Sequence, residues 1–160
     1  MTTRTATVTM PTDREIVITR EFNAPRRLVF EAWTNPEYLP QWMLGPDGWT
    51  MTICEIDLRP GGKWHFIGRG PKGQAPDFYG VFREVAPPDR LVYTEIFAPF
   101  PDVESVVTTV LTEESGKTRI TVNCLYPSKD VRDMVVTSGM ERGAAISYDR
   151  LEDLVRALQG

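Results

Sequence analysis

Apolar and polar residues alternate along one long stretch of the sequence, from residue 49 to residue 126. A period of two places successive side chains on opposite faces of a strand, so this stretch predicts strands rather than helices. Turn-forming residues divide it into six predicted strands, at 49–58, 63–69, 77–86, 90–98, 104–114 and 117–126. The connections are short and rich in Gly, Pro, Asp and Ser, which makes consecutive strands antiparallel neighbours. This part of the chain is therefore predicted to fold as an antiparallel meander.

Other elements flank the meander on both sides. Before it, residues 15–22 alternate as a further strand, Pro25 fits the first turn of a helix, and 37–43 forms a second short helix. After it, Ser128 caps a helix that continues to about Leu158, with apolar residues recurring every three or four positions. The predicted fold is α+β, with a curved antiparallel sheet wrapped around one long C-terminal helix.

Length and composition limit the classes of protein that this chain can represent. At 160 residues it has the length of a single domain, predicted at 14–160, while 1–13 forms a tail or an extra edge strand. The net charge is −4, without a basic block, which argues against nucleic acid as a partner. No apolar run approaches the roughly 18 residues that a membrane span needs. Cys54 and Cys124 form no paired motif, which favours free thiols and a cytoplasmic location.

Two apparent motifs carry no chemistry. Residues 68–73 spell G-x-G-x-x-G, but a proline-rich segment and another strand follow instead of the helix that a dinucleotide site requires. His65 is the only histidine, and neither cysteine lies at ligand spacing from it. We therefore expect a hairpin loop at 68–73, an outward-facing His65, and neither a metal nor a cofactor.

Polar residues on otherwise apolar strand faces are more informative. Glu95 shares its face with Tyr93 and Phe97, and Arg20 shares its face with Phe22. A buried charge is costly unless it is paired or hydrated, so these residues indicate either a partly polar cavity or separate structural ion pairs. Small residues in the middle of the C-terminal helix likewise allow either a close helix–sheet contact or a void. The candidate ligand-binding residues are Arg20, Trp64, Phe66, Phe82, Tyr93, Glu95, Phe97, Met134, Ser138, Ala145 and Tyr148.

Several segments resemble one known group of proteins. They are REFNAP at 20–25, VFEAWTNP at 29–36, QW at 41–42, CEIDLRPGGKW at 54–64 and PDRLVYT at 88–94. Together they resemble the START-like, helix-grip superfamily, and most closely the family named for the activator of the heat-shock-protein-ninety ATPase. The resemblance covers about residues 14–158. It implies a sheet that grips a C-terminal helix, and relatives that are co-chaperones in the stress response, lipid carriers, hormone receptors or cyclases.

Three functions follow from this combination. The first is an intracellular binding protein that holds a small hydrophobic or amphipathic molecule between sheet and helix. The second, implied by the resemblance, is a co-chaperone-like domain that binds a chaperone. The third is a cyclase or hydrolase that uses Glu95 as acid and base, although the sequence favours a protein that is not an enzyme. We expect a monomer or a symmetric homodimer, since closed two-fold assemblies dominate.

Overall fold

The computed structural model describes residues 6–43 and 47–159. The strands are β1 (Thr7–Thr9), β2 (Glu15–Phe22), β3 (Thr50–Ile56), β4 (Lys63–Arg69), β5 (Asp77–Ala86), β6 (Arg90–Phe97), β7 (Glu104–Glu114) and β8 (Lys117–Leu125). The helices are α1 (Arg26–Thr34), a 3₁₀ helix (Leu39–Gln41), α2 (Lys129–Thr137) and α3 (Met140–Gln159). None of the described helices is both long enough and apolar enough to cross a membrane.

The described strands form one curved antiparallel sheet in the order β1-β2-β8-β7-β6-β5-β4-β3. From β3 to β8 each strand pairs with its successor, which confirms the predicted meander. β2 pairs with β8, so the strand that precedes α1 lies beside the last strand of the meander. β1 adds an edge by pairing Thr7–Thr9 with residues 17–19 of β2. The α+β helix-grip architecture predicted from the sequence is confirmed.

The core lies between the concave face of the sheet and α3. Even-numbered residues of β2, such as Ile16 and Phe22, are buried, whereas odd-numbered residues of this strand are partly exposed. Leu151 and Val155 of α3 are completely buried on the opposite side. This is the arrangement that the period of two and the helical period predict for a sheet covered by one helix.

Two tryptophans close one end of the sheet. Trp33 of α1 and Trp42, next to the 3₁₀ helix, are buried with ring centroids 4.8 Å apart. The Trp42 indole N–H donates to the carbonyl oxygen of Ala32 at 2.9 Å, which fixes the ring against α1. The predicted second short helix at 37–43 is reduced to three residues of 3₁₀ helix. Pro40 lies inside this segment and lacks the N–H that a regular helix needs.

The predicted C-terminal helix is interrupted. Ser128 caps α2 as expected, because its Oγ accepts the Val131 N–H at 3.2 Å. However, α2 ends at Thr137, Gly139 adopts a φ of +86°, and α3 begins at Met140. A left-handed glycine is a common way for a helix to end, so Gly139, which the sequence pattern places inside one long helix, instead separates two helices. α3 supplies the completely buried residues Leu151 and Val155, whereas α2 packs against the core through the partly buried Val131 and Val135.

Candidate functional site

A cavity of about 350 Å³ lies between the concave face of the sheet and the first half of α3. Most of its walls are apolar. The lining residues are Ile18, Trp33, Trp42, Met43, Met51, Trp64, Phe66, Gly68, Pro76, Phe78, Tyr93, Glu95, Val107, Val122, Cys124, Met140, Gly143, Ala144, Ser147 and Tyr148. An apolar pocket of this size with few polar groups is typical of a small-molecule site.

Aromatic side chains form the wall on the meander side. Trp64 contacts Phe66 with ring centroids 4.7 Å apart, and meets Tyr93 edge-on at 5.6 Å. The Trp64 indole N–H donates to the carbonyl oxygen of Thr94 at 3.0 Å. This approach requires a glycine on β5, because a Cβ at Gly80 would lie 1.9 Å from that same oxygen. The backbone of β5 and β6 thus holds the tryptophan ring at the cavity.

Small side chains form much of the helix wall. Met140, Gly143, Ala144, Ser147 and Tyr148 of α3 line the cavity, and their spacing of three and four places them on one helix face. A Cβ added at Gly143 would meet no atom within 4 Å. The Ser147 hydroxyl donates to the carbonyl oxygen of Met43 at 3.0 Å, so it ties the helix to the segment after α1. The cavity exists because this face carries little bulk.

Among the described residues that line the cavity, Glu95 is the one with a carboxylate side chain. The Ser105 hydroxyl donates to the main-chain carbonyl of Glu95 at 3.2 Å, but the carboxyl group itself has no hydrogen-bond or ion-pair partner within the described residues. Burial disfavours the charged form and raises the pKa of Glu95 to about 7. Burial also raises the pKa of Cys124 to about 12, with a further contribution from the charge of Glu95. Burial first and Glu95 second raise the pKa of Tyr93 well above its usual value.

Arg20 lies in the core but outside the cavity lining. Its side chain points inward, as predicted, and the residue is only 3% exposed. Nη1 lies 3.0 Å from Oδ1 of Asp149 on α3, and the guanidinium stacks over the ring of Phe22 at 4.9 Å. The contact with Asp149 is an ion pair without the alignment of a hydrogen bond. Of the two alternatives for Arg20, the structure shows the structural ion pair.

The structure brings together five of the predicted site residues in the cavity wall: Trp64, Phe66, Tyr93, Glu95 and Tyr148. Phe82 lines a smaller adjoining pocket of about 30 Å³, which it shares with Trp64 and Tyr93.

The remaining predicted residues lie outside the cavity lining, like Arg20. Phe97 is 38% exposed and stacks on Phe78, with ring centroids 5.0 Å apart. Met134 is 60% exposed on α2, and Ser138 is exposed in the break after α2. Ala145 is partly buried beside the helix face that its neighbour Ala144 occupies. The break explains the displacement of Met134, Ser138 and Ala145, because it resets the helical phase on which the predicted stripe depended. Phe97 instead lies at the end of β6, where the strand leaves the cavity wall.

Several lining residues were missed by the sequence prediction. Met140 and Ser147 share a regular spacing with the predicted Tyr148, and a helix start at Met140 would have singled them out. Gly143 and Ala144 of the same helix face belong to the small residues that the sequence indicated in the middle of the helix. Cys124 shares its strand face with the buried Val122, so strand parity could have found it. Met51 carries no such signal, because β3 is partly exposed along its whole length.

His65 lies on the convex face of the sheet, opposite to the cavity. Its Nε2 is 2.7 Å from Oδ1 of Asp77, and its Nδ1 is 3.7 Å from Oε1 of Glu55. Among the residues that the structure describes, no three His, Cys, Asp or Glu side chains form a group that could hold a metal ion.

The fold and the cavity together define the class of protein. A curved antiparallel sheet that grips a C-terminal helix, with a cavity between them, is the helix-grip fold of START-like proteins. The chain belongs to the family described as "Activator of Hsp90 ATPase homolog 1-like protein", whose model matches residues 23–156. This confirms the family resemblance found in the sequence.

Solved bacterial structures are similar to this chain over nearly its whole length. A crystal structure of a Rhodobacter sphaeroides protein has a TM-score of 0.88 and 27% identity, covering 96% of this chain and 99% of that one. A Mycobacterium smegmatis protein gives 0.83 and 28%, covering 94% and 96%. A Nitrosomonas europaea protein gives 0.81 and 26%, covering 94% and 99%. No curated protein matches the sequence.

Proposed function

We propose that the protein binds a small apolar or amphipathic molecule in the cavity between the sheet and α3. The observation that carries this proposal is the cavity of about 350 Å³ with a mostly apolar lining. Protein interiors are normally close-packed, and voids larger than a water molecule are few. The small residues at Gly143 and Ala144 lie where a close-packed core would carry bulk.

A cavity-filling variant tests this proposal. In Ala144→Trp the indole should occupy the space of the ligand, so binding of the neutral fluorescent probe N-phenylnaphthylamine should be lost while the fold is retained. Burial of the indole contributes about 25 cal/mol per Å², so thermal stability should hold or rise. Arg142→Trp is the matched control, because it adds the same ring on the exposed face of the same helical turn and should leave probe binding unchanged. Equal probe binding by Ala144→Trp and the wild type would contradict the proposal.

The cellular setting of this proposal is the cytoplasm. Cys54 and Cys124 are both unpaired in the structure, and free thiols persist mainly in reducing compartments.

A chaperone-binding function is the second candidate. The family description supports it, and an exposed aromatic pair supplies a surface: Phe100 is 51% exposed and its ring centroid lies 6.1 Å from that of Phe97. Exposed aromatic residues often mark protein interaction sites. The test is a titration of an Hsp90-type ATPase with the protein, comparing Phe100→Ser with Met10→Ser, since Met10 is equally exposed. Stimulation that only Phe100→Ser loses would favour this function.

Acid–base catalysis is the third candidate. A pKa of about 7 for Glu95 is close to the optimum for a group that donates and accepts protons at neutral pH. However, Arg20, the other charged residue predicted to point into the cavity, is paired with Asp149. Mass spectrometry of a molecule that co-purifies with the protein distinguishes the candidates. A binding protein releases it unchanged after prolonged incubation, whereas an enzyme converts it.

A further inference from the structure

We propose that Glu95 makes the cavity selective for molecules that carry a protonated amine on a small apolar body. This inference rests on the proposed ligand-binding function and names the class of ligand. Three features support it: a carboxyl group that no described residue pairs with, the absence of basic side chains among the described lining residues, and aromatic walls.

The carboxyl group of Glu95 lacks the partner that buried charges normally have. β6 directs it into the cavity on the same strand face as Tyr93, and no described residue forms a hydrogen bond or ion pair with its side-chain oxygens. Glu95 is partly buried, and an ionised carboxyl group that is partly removed from water without a partner is unfavourable, so a ligand that supplies a charged donor removes that cost. The charged donor that pairs with Glu95 is therefore expected on the molecule that enters the cavity.

The titratable groups around Glu95 include no base. Those that line the cavity are Tyr93 on β6, Cys124 on β8 and Tyr148 on α3, and the charge of Glu95 also reaches Tyr126 beyond β8. Burial raises the pKa of each of these groups, so all of them are neutral near pH 7. No Lys, Arg or His is among the described lining residues. Arg20 lies outside the lining, where its charge reaches Tyr148, but it is paired with Asp149. A carboxylate ligand would therefore meet a negative charge and no basic side chain among the described lining residues.

The aromatic walls favour a cation for an independent reason. Trp64, Phe66 and Tyr93 line the same cavity, and the Trp64 ring contacts both of the others. Aromatic faces attract ammonium groups, and Trp does so most strongly. An amine can thus pair with Glu95 while its apolar body packs against the rings.

Three probes with one aromatic body test the selectivity: naphthylmethylamine, naphthylmethanol and naphthoate, each titrated calorimetrically. The wild type at about pH 8 should bind the amine at least about tenfold more tightly than naphthoate, with the alcohol between them. Glu95→Gln keeps the shape of the side chain but removes its charge. This variant should bind the alcohol as the wild type does and lose the preference for the amine.

The pH dependence gives a test that needs no variant. The amine binds to ionised Glu95, so its affinity for the wild type should fall about thirtyfold between about pH 8 and pH 5.5, as a group with a pKa near 7 takes up a proton. The affinity of the neutral alcohol should stay level over the same range.

The outcomes separate this inference from the proposed function. If the alcohol binds but the amine shows no preference, or if Glu95→Gln keeps the preference, the inference is wrong and the proposed function stands. Tighter binding of naphthoate than of the amine also overturns the inference. If none of the three probes binds, both are wrong.

Discussion

Two charged side chains, those of Arg20 and Glu95, point toward the interior of the molecule, and they differ in whether a described residue pairs with them. Arg20 and Glu95 both share a strand face with apolar residues, and both point toward the interior. Parity predicts this direction because the side-chain period of a strand is two. It does not predict the partner. The long Arg20 side chain reaches Asp149 across the gap between sheet and helix, whereas Glu95 faces the cavity and no described residue pairs with its carboxyl group. From the sequence alone, each of the two residues could therefore either line a partly polar cavity or form a structural ion pair.

Loss of the Arg20 partner should destabilise the protein. Asp149→Asn leaves the guanidinium buried without a counter-charge, and breaking a fully buried ion pair costs about 3–5 kcal/mol. Because the Asp149 side chain is 65% exposed and water can partly replace it, we expect a loss of about 1–3 kcal/mol in urea unfolding. Asp153→Asn, on an exposed position of the same helix, should change stability by less than about 0.5 kcal/mol. Equal stability of the two variants would show that the ion pair contributes nothing.

Glu95 should make the stability of the protein dependent on pH. Its pKa is about 7 in the folded protein, against 4.5 for the free group, so the unfolded chain loses this proton first as the pH rises. The contribution of Glu95 is therefore fully present below about pH 4.5 and is lost as the pH rises through 7. Glu95→Gln should be more stable than the wild type by about 1–3 kcal/mol at about pH 8. In urea unfolding at several pH values this difference should vanish toward pH 4.5, and a constant difference would contradict the argument.

At the scale of elements, strands were easier to predict than helices. From β4 to β8 the strand starts agree with the prediction, since the alternation and the turn residues point to the same boundaries. The helical pattern after Ser128 hides its own interruption, because Ser138 and Gly139 fall among residues that continue the apolar spacing. A glycine within a helical pattern is compatible with either a continuous helix or a helix end. A continuous helix would place Met134 on the buried stripe, but in the structure it lies on α2 before the interruption and is exposed. Tyr148 lies on α3 after the interruption and is buried as predicted.

Two glycines should respond in opposite ways to the same substitution. Gly143 lies inside α3 with no atom within 4 Å of an added Cβ, so Gly143→Ala should stabilise the protein by about 0.5–1 kcal/mol. Gly80 lies where β5 approaches β6, and its Cβ would be 1.9 Å from the carbonyl oxygen of Thr94. Gly80→Ala should therefore destabilise the protein by about 3 kcal/mol or more. Chemical unfolding measures both changes, and a stable Gly80→Ala protein would show that the strands separate easily.

At the scale of the whole molecule, the order of the elements predicts the sheet, but not the volume that it encloses. Short connections make neighbours of consecutive strands, and one helix then covers the concave face. The cavity depends instead on which residues of α3 face Trp64 and Tyr93, and on how far Gly143 stands from them. These are differences of a few ångströms in packing, which a pattern of apolar residues does not specify.

The edge of the sheet carries the last prediction. β1 pairs Thr7–Thr9 with β2, and Val8 packs against the core, so removing the chain through Met10 exposes the hydrogen-bonding edge of β2. The lost ladder and apolar contact should lower the free energy of unfolding by about 1–3 kcal/mol. Binding of N-phenylnaphthylamine should persist, because β2 and its Ile18 remain in the cavity wall. A free strand edge also pairs readily with another chain, so light scattering should show a higher molar mass for the truncated protein than for the full chain. Unchanged stability together with an unchanged mass would mean that β1 neither supports nor protects the sheet.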